Sequence, residues 1–338
     1  MVDKQVKNRI RKEVFARFLA EGDVQDLKLK NYCKKHKAQI DWLEGRRTSI
    51  DVEDFADIQR LFGIRLHQNN EGETVMHKFD SDKYEQVAEV VRQHFWKLIF
   101  DNIKHIERDA NFRNSLITSL GSLQSIGEDA YFNGSQVTDL GNLQNIGEVA
   151  YFSGSQITDL GNLQNIGRSA FFAGSQITSL GNLQSIGENA YFAYSQISDL
   201  GNLQSIKGDA DFRDSPITSL GNLQSIGGDA IFEDSQITSL GNLQSIGENA
   251  YFAYSQISDL GNLQSIKGDA DFRDSSITSL GNLQSIGGDA CFSGSQITNL
   301  GNLQSIGGNA YFGVEPTLSQ EVIEEIKSIT ALDLKKKK

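Results

Sequence analysis

Proline and cysteine are nearly missing from this chain, with 2 of each in 338 residues, and Trp and Met are as scarce, at 2 each. Cys33 and Cys291 lie far apart in unlike contexts, which excludes a disulfide framework and fits a reducing compartment. No stretch approaches 18 apolar residues, and Met1 to Ala20 is charged throughout, so neither a membrane span nor a secretory signal is expected. The chain is therefore expected to be soluble and cytoplasmic, without membrane contact. Positive charge is in short supply: 32 Lys and Arg face 44 Asp and Glu, for a net charge of -12, which argues against a simple nucleic-acid binder.

Glycine, by contrast, is abundant at 32 residues, and its abundance has one cause, a repeat. From Ile106 the chain repeats every 20 residues, in eleven copies that begin at Ile106, Ile126, Ile146 and so on to a truncated last copy at Ile306. With Ile as position 1 the pattern is I-x-x-x-A-x-F-x-x-S-x-I-x-x-L-G-N-L-Q-S. One such unit cannot bury its six apolar positions alone, but stacked copies can, which predicts a solenoid with a column of like residues as its core. Ala at position 5 (Ala110 to Ala310) and Phe at position 7 (Phe112 to Phe312) belong to that column. The A-x-F alternation predicts a short strand with Ala and Phe inward and position 6 outward. The remaining apolar residues fall three apart and are broken by glycine, which predicts a return through extended or 3₁₀ structure. Residues 186–245 and 246–305 are near copies, so Tyr191, Tyr194, Asp209, Asp211, Arg213 and Asp214 recur as Tyr251, Tyr254, Asp269, Asp271, Arg273 and Asp274.

The repeat resembles the leucine-rich repeat of bacterial or phage proteins, whose motif runs L-x-x-L-x-L-x-x-N-x-L. Ala130, Phe132, Ser135 and Val137 stand where that family places Leu, Leu, Asn, and Leu or Ile. Two departures are visible: the spacing before Ala is one residue longer, and Ser115, Ser135, Ser155 and their equivalents replace the Asn that bonds neighbouring backbones in the family. The resemblance implies an α+β fold, a right-handed leucine-rich-repeat-like horseshoe of about eleven 20-residue repeats over residues 106–313. A three-faced β-helix is the alternative.

Residues 1–105 are of mixed charge and are expected to form a mainly helical capping domain. Val6, Ile10, Val14 and Phe18 share one helix face, Leu29, Tyr32 and Cys33 begin a second, and Val52, Phe55, Ile58, Leu61 and Phe62 mark a third. A polar loop at Asn69 to Glu73, a short strand from Thr74 to Phe79, and a long helix opened by the capping box Asp82 and Glu85 follow. Residues 314–338 are expected to be a closing helix over Ser319 to Ile329, with Val322, Ile326 and Ile329 inward, and a Lys tail. The segment from Gln39 to Ile64 resembles the later half of a repressor-type helix-turn-helix, which implies phosphate contacts by Lys34, Lys35, Lys37, Arg46 and Arg47. Nucleic acid would then bind only through this N-terminal domain.

Catalytic chemistry has little to stand on. All five histidines, His36, His67, His77, His94 and His105, precede the array. Cys33 and His36 lack a second ligand pair for zinc, and no Walker loop, G-x-S-x-G or H-E-x-x-H occurs. No catalytic residue, metal or cofactor is expected, and the chain reads as a non-enzyme.

Positions 4, 6, 8 and 9, which flank or face outward from the strand, change from copy to copy while the core does not. Seven of the nine Tyr fall in this zone. The expected protein-binding face, on the concave sheet of a horseshoe, comprises Tyr131, Tyr151, Phe171, Tyr191, Tyr194, Asp211, Arg213, Tyr251, Tyr254, Asp271, Arg273 and Tyr311. The plainer alternative is that such residues simply suit an exposed strand. Residues 108–313 carry 7 basic and 20 acidic side chains, a net -13, with Asp rows at positions 4 and 14. Such rows either keep a repetitive protein in solution or attract a partner with a basic surface. A specific form of the second reading is an inhibitor of a nucleic-acid-handling phage-defence protein. Two other functions stay open: a DNA-binding regulator acting through residues 34–64, and an ice-binding solenoid presenting the position-13 ladder of Thr118, Thr138, Thr158, Thr178, Thr218 and Thr238.

Overall fold

The computed structural model describes residues 66–71, 74–80, 100, 103–115, 117–313 and 318–330. The three helices and the helix-turn-helix segment expected before residue 66, the helix expected from Asp82, and the tail Lys335 to Lys338 lie outside the described residues. The fold is a parallel β-solenoid of about ten 20-residue turns, with one helix at its C-terminal end. Two compact units divide it: one takes the described residues through Ala150 with 155–157 and 161–163, the other takes 151–154, 158–160 and Gln164 onward.

Each turn contributes two strands of two residues. In the first unit, strand β1 (Leu66–Gln68) pairs antiparallel with β2 (Thr74–Met76), and β2 lies parallel to β4 (His105–Ile106). β3 (Phe79–Asp80) lies parallel to β5 (Ala110–Asn111). The register sets Met76 beside Ile106 and Phe79 beside Ala110, so residues 74–80 occupy the place of a preceding turn. The strand expected over Thr74 to Phe79 is thus two strands, and the hairpin of β1 and β2 borders the first repeat.

In the second unit both ladders run parallel with a register of one repeat. Ser185–Ile186 pairs with Ser205–Ile206, Ala190–Tyr191 with Ala210–Asp211, and the series continues to Ser305–Ile306 and Ala310–Tyr311. Single bridges at position 14, such as Ser179 to Asp199 and Ser239 to Asp259, add a third line of pairing in each turn. Of the extended or 3₁₀ return expected here, the stretch through position 14 is extended and bridged, and it closes in a tight turn in which the Leu203 amide donates to the Leu200 carbonyl at 3.1 Å. The reason is the glycine between them: Gly201 holds φ +56, outside the helical region, and a Cβ there would lie 2.4 Å from the Gly181 carbonyl oxygen.

The core is what the repeat predicts. Ala110 to Ala290 and Phe112 to Phe292 are buried in every turn. From Phe152 to Phe292 successive rings stack 5.0–5.5 Å apart and within 12° of parallel. In the first unit Phe112 and Phe132 stack at 5.1 Å. Each ring buries enough area for about 1.5–3 kcal/mol. The closing helix forms as expected, from Gln320–Ile329, with the Ser319 hydroxyl accepting from the Val322 amide as N-cap. It buries Val322, Ile323 and Ile326, and the chain then pairs at Thr330 with Ile306, which ends that ladder.

Candidate functional site

The outward-facing residues sit on one recurring turn. From repeat to repeat the position-10 Ser amide donates to the Phe carbonyl three residues back, for example from Ser175 to Phe172 at 2.9 Å, Ser195 to Phe192 at 3.1 Å and Ser255 to Phe252 at 3.2 Å. Closing that turn requires a left-handed residue at position 9. Gly134, Gly154, Gly174 and Gly294 fill it in some turns, and Asn114, Asp214, Asp234 and Asp274 in others, all types that tolerate positive φ. Tyr194 and Tyr254 are the exceptions, at φ 57 and φ 58. An aromatic side chain in this region is uncommon and strained. Backbone bonds hold it there: the Tyr194 amide donates to the Arg213 carbonyl, and the Gly174 amide to the Tyr194 carbonyl.

These two rings are also the most open. Tyr194 is 71% exposed, Tyr254 56% and Tyr311 49%, and these three are the exposed large apolar side chains among the described residues. Position 6 behaves differently from the outward orientation expected of it. Tyr151, Phe171 and Tyr191 are half-buried and stack face to face at 5.1 and 4.7 Å, so their faces are covered. Tyr131 lies under the Arg113 guanidinium, 4.1 Å from its centroid, and its hydroxyl donates to Asp129. Tyr251 is half-buried, and burial together with the Asp229 charge pushes its hydroxyl pKa up.

Asp211 is only 6% exposed. Arg213 grips it through Nε at 3.0 Å and Nη2 at 2.6 Å, and Arg273 forks onto Asp271 in the same way. The bonds to these carboxylates hold both guanidinium groups further toward the charged form than usual. The Asp and Arg expected at the binding face are therefore paired with each other, from the end of the strand to the turn two residues on.

The acidic rows have a structural task that composition does not reveal. At position 4 the Asp and Asn side chains accept the backbone N–H of the equivalent residue in the next turn: Asp209 from Asp229 at 2.9 Å, Asp229 from Asn249 at 2.9 Å, Asn249 from Asp269 at 2.8 Å, and Asp269 from Asp289 at 2.7 Å. At position 14 the side chain accepts the amide of the glycine two residues on, as Asp199 does from Gly201 and Asp259 from Gly261, both at 2.8 Å. Position 9 is different. Asp214 and Asp234 are exposed, and neither side chain is tied into the solenoid by a hydrogen bond. Sequence reading missed these two as site residues; the alternation of Gly, Asn and Asp at one repeat position was the available signal.

Three further features complete the surface. The position-13 hydroxyls of Thr178, Thr238 and Thr298 donate to the carbonyl of the preceding turn, at 3.2–3.4 Å, so the donors expected for an ice-binding row are turned onto the backbone. Asp209, Asp229 and Glu248 have carboxylate oxygens within 4.8 Å of one another, an oxygen-only set suited to a hard cation. Asp209 and Asp229 each already commit one oxygen to a backbone amide. In the first unit, Glu107 joins His67 at 2.8 Å and His77 at 3.0 Å, and the bond to His77 leads in holding its carboxyl below the usual range. Beside it Lys78 meets Asp109 at 3.0 Å.

Comparison with known protein families, with curated proteins and with solved structures finds no match to this chain. No helix among the described residues is long and apolar enough to cross a membrane. The candidate DNA contacts Lys34, Lys35, Lys37, Arg46 and Arg47 lie outside the described residues.

Proposed function

We propose that the solenoid is a non-enzymatic protein-binding module whose contact surface is the row of turns at positions 6 to 10. One observation carries this reading: the three exposed large apolar side chains among the described residues, Tyr194, Tyr254 and Tyr311, all belong to that row. Rings left in water where the other large apolar side chains among the described residues are covered mark an interface. The -13 charge of residues 108–313 favours a partner with a basic surface, and an inhibitor seated in a basic nucleic-acid groove is the specific form this would take. The repeat pattern supports a resemblance to leucine-rich-repeat proteins of bacteria or phages.

The test is affinity capture from source-cell lysate after nuclease treatment, comparing the parent chain with a Tyr194→Asn, Tyr254→Asn, Tyr311→Ser variant. A nuclease-resistant protein retained by the parent and lost by the folded variant is the expected result. Equal capture by both, or recovery of nucleic acid alone, would overturn it.

A further inference from the structure

Tyr194 and Tyr254 form a matched pair three turns apart, and what lies between them defines the partner. Position 9 runs Tyr194, Asp214, Asp234, Tyr254 over four consecutive turns, each residue in the left-handed region at φ 49 to 58. At about 4.8 Å per turn the rings stand about 14 Å apart, with the two carboxylates spaced evenly between them. Both rings have the same support: their amides donate to the carbonyls of Arg213 and Arg273, which are themselves neutralised by Asp211 and Asp271. The local positive charge is thus cancelled within each turn, while Asp214 and Asp234, with Glu233 beside them, remain acidic.

Position 9 tolerates Gly, Asn or Asp without strain, so the two tyrosines oppose local stability. A residue kept against its backbone preference with more than half of its surface in water is explained by contact with something outside the chain. We infer that Tyr194 and Tyr254 are twin anchors for a single basic protein segment, which seats an apolar socket on each ring and lays cationic side chains across Asp214 and Asp234. The inference rests on the protein-binding reading above and narrows it to one class of partner and four residues. Because the two anchors act on one partner, losing either loses most of the binding.

The test uses the full chain. A photo-crosslinking phenylalanine analogue is placed singly at 194, at 254, at 311 and, as a control on another side of the turn, at 204, in source-cell lysate after nuclease treatment. The expected result is one basic protein joined from both 194 and 254 and not from 204. Its affinity should fall about tenfold or more in each of Tyr194→Gly and Tyr254→Gly, and in the pair Asp214→Asn with Asp234→Asn. The same glycine variants should melt at or above the temperature of the parent. A clear fall in melting temperature would show that the rings serve packing and would overturn the inference. So would different proteins at the two positions, or a partner that is not basic. A partner joined only from 311 would overturn the twin-anchor inference while leaving protein binding standing; no crosslink from any position would remove both.

Discussion

Single residues in this protein answer to their neighbours one turn away more than to their neighbours in sequence. Asp229 shows how: its carboxylate accepts the Asn249 amide at 2.9 Å, a bond between turns that no local pattern announces. Asp229→Ala is expected to cost about 1 kcal/mol by leaving that amide without an acceptor, and Asp229→Asn to restore most of it, as read by thermal melts. Gly187 tests the closeness of the turns, because a Cβ there would lie 1.9 Å from the Gly167 carbonyl oxygen. Gly187→Ala should destabilise by about 1–3 kcal/mol, and a change smaller than that would mean the turns can part more easily than their spacing indicates.

At the scale of elements, two-residue strands are too short to persist alone and depend on the phenylalanine column behind them. Phe232, fully buried between Phe212 and Phe252, should cost about 3–5 kcal/mol on replacement by Ala, measured by denaturant unfolding. The hairpin of residues 66–76 is joined to the first repeat partly by Glu107, whose carboxyl is held below its usual range by His77 and His67. A depressed carboxylate pKa adds stability above the unfolded value and loses it as pH falls through the folded one. Glu107→Gln should therefore loosen the hairpin slightly at neutral pH, by less than about 1 kcal/mol for so exposed a site, and make no difference in strong acid, as read by exchange of the Met76 and Glu107 amides. A loss that persists in acid would assign the effect to packing.

Much of the element layout was legible because the spacing writes it directly: Ala at position 5, Phe at position 7 and the apolar stripe of the closing helix all follow from it, whereas the role of Ser319 as that helix's cap did not. The candidate site was legible only in part. Tyr194 and Tyr254 stand out in the sequence as aromatics, but their strained backbone needs the turn, and the turn needs the Ser-to-Phe bond that a linear pattern hides. Asp211 misled because its charge implies exposure, whereas Arg213 two residues on makes burial tolerable. The Asp rows at positions 4 and 14 read as a charged surface because their amide partners lie one turn or one bend away.

For the whole molecule, the core repeats while the surface positions vary, and the variation in the row of turns at positions 6 to 10 places aromatic rings in water at a cost to the backbone. The most direct measurement is amide hydrogen exchange of the full chain with and without its captured partner. Slowed exchange centred on residues 191–195 and 251–255 is the expected result. Slowed exchange confined to the position-13 threonine row, or none in the solenoid at all, would contradict the claim that this row of turns is the binding surface.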